Sequence, residues 1–342
     1  MRISKVVMLM FFFCGLALLG VMVWQVGVAD LLESFHALGL WIVPYVLLRA
    51  LPIFLHTVGW AACFPAHPSP PQLWQLALVA RAGSAINQVT PTATIGGEMV
   101  KVLLLESTIP RQQAVAAVVI DKASSTLANM FYLSLGMLYL TQHLPIPREL
   151  QLGAGVSIGL ISLGLIGFVA FQRYGLLSKL VRYLGRLRIG SDRLRWLSEQ
   201  LIPLDAQLVT YYTHYPWRFV RSLLWHFTAY TFDVVKTYIL LRLILGADAP
   251  TFAEAIMVAI AVTALDQMFF FVPGLIGTLE AARLMVLSII GVTQVYGLAF
   301  GLVARVEQLV WSGLGLCAYA LCTRLSLLAT AGQEPTKAVS TS

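Results

Sequence analysis

The chain is short of charge. Of its 342 residues, 11% are Asp, Glu, Lys or Arg, against roughly 25% in an ordinary soluble domain. With 58% hydrophobic residues and a mean hydropathy of +0.80, that shortage excludes both a soluble globular protein and a disordered one. Cysteines are few. Cys14, Cys63, Cys317 and Cys322 lie in apolar stretches without CxxC spacing, so buried free thiols are expected. The histidines show no metal-ligand spacing, so no metal site is expected. A nucleophile elbow, a P-loop, a zincin helix and a Rossmann fingerprint are all missing. Nothing points to catalytic residues, a cofactor or ATP drive, and no enzyme is expected. A net charge of +7 invites nucleic acid. The excess sits in one loop between apolar runs, which is a membrane pattern, and nucleic acid is excluded as a partner.

Long apolar runs are what the chain does have. About 20 apolar residues span the hydrocarbon, so the expected fold is an all-α polytopic membrane protein. Arg2 and Lys5 precede a first span, Val6 to Val28, with its N-terminus in the cytosol. Leu38 to Cys63 follows, carrying Pro44, Arg49, Pro52 and His56. Leu73 to Glu106, Gln112 to Leu140 and Leu150 to Phe171 come next. The loop 172–216 carries Arg173, Lys179, Arg182, Arg186, Arg188, Arg193 and Arg195 and is placed in the cytosol. Leu194, Leu197, Leu201, Leu204 and Leu208 recur at helical spacing there, the pattern of an amphipathic helix lying on anionic lipid. Trp217 to Leu245, Thr251 to Ile290 and Thr293 to Thr323 complete the spans. The C-terminus is cytosolic, with a disordered tail over 331–342. Residues 1–330 form a single transmembrane domain.

Two stretches break the apolar pattern in the same way. Pro91, Gly96, Gly97, Glu98 and Lys101 recur downstream as Pro273, Gly274, Gly277, Glu280 and Arg283. In each, Glu stands seven places after Pro and a base three places after Glu. Orientation constrains both stretches. With the basic loop inside, 73–106 must enter from the cytosol and return to it, and 251–290 must enter from outside and return outside. Each is then a re-entrant, broken-helix hairpin. The chain becomes an inverted repeat, with a first unit at about 38–140 and a second at about 217–323. Paired Gly/Pro-interrupted segments in corresponding positions point to a transporter's central site.

Charges inside predicted spans cost about 2.5–3.5 kcal/mol each at a helix centre. They persist when they pair or line water. Glu98/Lys101 and Glu280/Arg283 sit at i, i+3 on one helix face. Each Glu falls where the helix dipole favours a carboxylate. The glycines allow close backbone approach. Asp121, Lys122, Arg305 and Glu307 lie at comparable distances downstream and could answer those charges from the neighbouring helix. Asn87, Arg81, Arg49 and Asp266 are weaker candidates.

At these residues the chain resembles the flippase-like family named after the transmembrane region of lysylphosphatidylglycerol synthases. The resemblance rests on Asn87, Pro91, Gly96-Gly97-Glu98 and Lys101, and on Pro273-Gly274, Gly277 and Glu280. The run Ala116 to Lys122 is similar to a branch associated with hopanoid biosynthesis. Leu275 stands where the family pattern has a second glycine after Pro-Gly. The resemblance and the charges together imply a bacterial-type inner-membrane protein that moves a lipid between leaflets. Glu98 and Glu280 would line the path of the head group, and Lys101 and Arg283 would contact its phosphate. A non-transporting accessory protein of lipid synthesis, an intramembrane lipid-modifying enzyme and a coupled small-solute transporter are the alternatives. The sequence names neither the lipid nor the oligomeric state.

Overall fold

The computed structural model describes residues 24, 29, 32, 36, 38–64, 71–89, 95–143, 148–176, 179, 183, 191–269, 272, 275 and 277–331. Apart from Trp24, the expected first span lies outside them, as do Pro91, Pro273, Gly274 and the tail from 332. Among the described residues the structure is helical, with no strand. A 3-10 turn at Gly39–Trp41 leads into α1 (Ile42–Leu48) and α2 (Ala50–Ala61). There follow α3 (Leu73–Val89), α4 (Ile95–Leu105), α5 (Arg111–His143) and α6 (Arg148–Arg173). The second half holds α7 (Ser191–His214), α8 (Pro216–Leu245), α9 (Phe252–Met268), α10 (Thr278–Ile289) and α11 (Gln294–Ala331). Two stretches, Gly39–Ala61 and Gln151–Arg173, are long and apolar enough to cross a membrane by length and composition alone.

The segment 73–106 is broken into α3 and α4, and 251–290 into α9 and α10. The arms have 17 and 11 residues in the first case and 17 and 12 in the second. At 1.5 Å per residue the short arms are roughly 17 Å long, well under the ~30 Å hydrocarbon thickness. Neither short arm can cross alone. Gly97 shows how α4 folds back on α3. A Cβ there would lie 2.1 Å from the Gly83 carbonyl oxygen, so the two backbones touch. The Gly97 N–H donates to Asn87 Oδ1 at 2.6 Å and locks the contact. In the second break Gly277 has φ +75°, and Leu275 takes φ +53°, a left-handed conformation that suits glycine. Leucine therefore adopts the backbone that a glycine in that slot would adopt freely.

Helix α11 packs on α3 and α10, and α8 packs on α2, α5 and α9. Small residues on α5 (Ala114, Ala117, Ala128) are fully buried and bring its neighbours close. Helix α6 lies outermost, with no buried residue in its most apolar window. The amphipathic helix of the basic loop is present as α7, and its C-terminal half faces protein. Leu208, Tyr211 and Tyr212 are buried in one core with Trp60 and Ile120. Tyr211 donates to the Ala62 carbonyl at 3.0 Å and Tyr212 to Gln172 at 2.9 Å. Burial pushes both phenols up, so they remain neutral donors.

Candidate functional site

The charged residues collect into three clusters where the helices cross. The first joins α2, α4, α5 and α8. Glu98, in the first turn of α4, lies 2.9 Å from Lys101 Nζ. Lys101 reaches Asp121 of α5 at 3.9 Å and sits 5.2 Å from the Trp60 ring. Asp121 is bound by His226 Nε2 at 3.1 Å, and His226 Nδ1 meets His56 Nδ1 at 2.7 Å. With both imidazoles neutral, one assignment satisfies both contacts. His56 donates from Nδ1, and His226 accepts at Nδ1 and donates from Nε2 to the carboxylate.

The second cluster holds the second break. Glu280, in the first turn of α10, is completely buried. Arg305 of α11 clasps it with two bonds, Nε to Oε1 at 2.7 Å and Nη2 to Oε2 at 3.0 Å. Nη2 also donates to the Leu275 carbonyl at 2.7 Å, which ties down the left-handed residue. Arg283 turns the other way, to Asp266 of α9, at 2.6 and 2.8 Å. Glu280 and Arg283 share a helix but pair with partners on different helices.

The third cluster joins the start of the bundle to α8 and α11. Lys236 Nζ lies 2.5 Å from Glu307, Arg49 Nη1 lies 3.2 Å from Asp233, and Arg49 Nε lies 3.6 Å from Glu307. Beside it is a cavity of about 430 Å³, within the ~300–1,000 Å³ typical of ligand sites. Its walls carry Tyr45, Arg49, Arg81, Gln88, Asn129, Tyr230, Asp233, Lys236, Asp266, Gln267, Arg283, Glu307, Gln308 and Trp311. Asn129 and Gln267 bond each other across it at 2.8 Å.

Residues 5–315 match the family described as the lysylphosphatidylglycerol synthase TM region. The chain belongs to that family. Membership makes it a membrane protein connected with lipid handling. No curated protein and no solved structure matches the chain.

Of the residues singled out in this family member's sequence, Arg49, Arg81, Asp266, Arg283 and Glu307 line the cavity. Glu98, Lys101 and Asp121 form the separate first cluster, and Glu280 and Arg305 brace the second break behind the wall. Asn87 and Gly97 fasten α4 to α3. Gly96 and Gly277 sit at the starts of α4 and α10. Lys122 points out of the bundle and is exposed. Its long stem lets a lysine on such a face reach towards water. Two further lining residues, Asp233 and Lys236, were not among the site candidates. Asp233 and Lys236 were visible as charges inside an apolar run, and that cost alone marked them. The His56–His226 pair gave no signal, because its members are separated by 170 residues.

Proposed function

We propose that this protein translocates a polar lipid head group between the leaflets of a bacterial-type inner membrane, without chemistry on the lipid. The observation that carries the reading is the cavity of about 430 Å³ walled by charged side chains inside an apolar bundle. Groups of that kind are tolerated in a membrane when they pair or face water. Here most of them pair, and they line the cavity. A head group can enter such a chamber while its acyl chains remain in lipid. Apart from Arg81, the acids and bases of the wall are engaged with one another, which favours carriage over catalysis.

The matched breaks support an inverted repeat with two re-entrant hairpins. On that reading α1–α2 corresponds to α8, α3 to α9, α4 to α10 and α5 to α11. The packing follows the correspondence: α3 against α11 is answered by α9 against α5, and α4 against α5 by α10 against α11. Rocking one unit against the other would open the chamber to each leaflet in turn. The basic loop and both termini then lie in the cytosol, with anionic lipid at the basic face of the loop.

The test is leaflet exchange of fluorescent lipids in vesicles holding the purified full chain. The wild type should speed exchange well above protein-free vesicles. Glu307→Gln should slow it at least tenfold. No acceleration across a panel of head groups would refute carriage and leave an accessory role. Covalently altered lipid in the same vesicles would make the protein an enzyme.

A further inference from the structure

The cations of the bundle interior are matched to acids, with one exception. Arg49, Lys101, Lys236, Arg283 and Arg305 each lie within 4 Å of a carboxylate. Among the described residues Arg81 has none. Its hydrogen bond within the protein runs from Nη2 to Ser84 Oγ at 3.1 Å, one turn along its own helix. Its Nε is buried without a partner. Another cation, Arg49, lines the same cavity. The walls of the cavity therefore carry four bases, Arg49, Arg81, Lys236 and Arg283, against three acids, Asp233, Asp266 and Glu307.

The two broken segments differ at this point. In the second, the short arm's base (Arg283) turns back to an acid on the long arm (Asp266). In the first, the short arm's base (Lys101) turns to Glu98 and Asp121, and the long arm carries Arg81 in place of an acid. Lys101 and Arg283, the bases that sequence reasoning gave to phosphate, are thus already occupied. A buried ion without a counter-charge is costly, so the position makes physical sense when a bound anion completes it. A guanidinium offers a planar fork of donors that fits phosphate oxygens in pairs. Gln88 lies two turns further along α3 and also lines the cavity. Its side-chain amide meets Ser312 and has an NH₂ group able to donate to an anion.

We propose that Arg81, assisted by Gln88, binds a singly charged phosphate ester in this cavity. This deepens the head-group reading and rests on it for the identity of the cargo, a phosphodiester lipid. The same chemistry could be met by a soluble phosphate, and the test separates the sources. The full chain in detergent is titrated with phosphatidylglycerol, with an uncharged glycosyl lipid of the same acyl chains, and with inorganic phosphate, with thermal midpoint and native mass spectrometry as readouts. Phosphatidylglycerol should bind and raise the midpoint, and the glycosyl lipid should not. Arg81→Gln should weaken phosphatidylglycerol binding at least tenfold, and Arg81→Lys by less. Without lipid, the midpoint of Arg81→Gln should equal or exceed that of the wild type, because an unpaired cation has gone. Inorganic phosphate giving the same Arg81-dependent shift would support the anion site and name a soluble source. Binding by Arg81→Gln within twofold of wild type would overturn the site, as would a lipid-free midpoint several degrees lower. Leaflet exchange is measured in parallel. Arg81-dependent binding without exchange would sink the transport reading alone. Exchange at the wild-type rate in Arg81→Gln would sink the anion site alone.

Discussion

Glu280 and Arg305 make a doubly bonded, buried contact at the second break. The carboxylate is fully buried and both its oxygens are bonded by one guanidinium. Removing one partner of such a pair leaves an uncompensated charge, at about 3–5 kcal/mol. Glu280→Gln and Arg305→Gln should each lower the thermal midpoint sharply, and the double change should recover part of the loss. Equal, additive losses would show that the two side chains act independently. Leu275 allows a change of the opposite sign. A leucine held at φ +53° carries roughly 1–2 kcal/mol of left-handed strain. Leu275→Gly removes it and gives back about 0.5–1 kcal/mol as unfolded-chain entropy. A small rise in midpoint is expected, read by the same melt, and a clear fall would mean the leucine side chain holds the turn. The i, i+3 spacing revealed Glu98 with Lys101, which do pair. It misled for Glu280 with Arg283, which part company. Spacing fixes which side chains share a face of one helix, but not which neighbour arrives opposite.

At the scale of elements, glycine decides which helices can touch. Gly97 has the Gly83 carbonyl where its Cβ would be, whereas Gly153 on α6 has nothing within 4 Å. Gly97→Ala should separate α3 from α4 and cost at least the ~1–3 kcal/mol of an overpacked core. Gly153→Ala should be neutral or slightly stabilising, by helix propensity. Comparing the two melts checks the packing, and equal effects would contradict it. The breaks themselves were legible because glycine and proline interrupt apolar runs at matched places. The docking of α7 was not. Its leucine period announces an apolar stripe, and a stripe reads the same whether lipid or Tyr211's core receives it. Contacts such as Arg49 with Asp233 and Lys236 with Glu307 span 184 and 71 residues, beyond the reach of any local pattern.

For the whole molecule, the proposed inverted repeat requires the two broken segments to enter from opposite sides of the membrane. Ser107 lies in the turn between α4 and α5, and Asp248 follows α8. With the exposed native cysteines replaced, Ser107→Cys should react with a membrane-impermeant thiol reagent from the same side as Tyr183→Cys in the basic loop. Asp248→Cys should react from the other side. Labelling of all three from one side would remove the inversion. The all-α class and the family were readable from apolar run length and the two motifs. The chamber was not, because it exists only where α3, α8, α9 and α11 converge.

Arg49 lies 3.2 Å from Asp233 on α8 and 3.6 Å from Glu307 on α11. A sideways slip of under an ångström between those helices would swap which acid holds it more closely. Glu307 meanwhile keeps Lys236 as a second companion. Through such a slip Arg49 keeps a carboxylate at its side, first one acid and then the other.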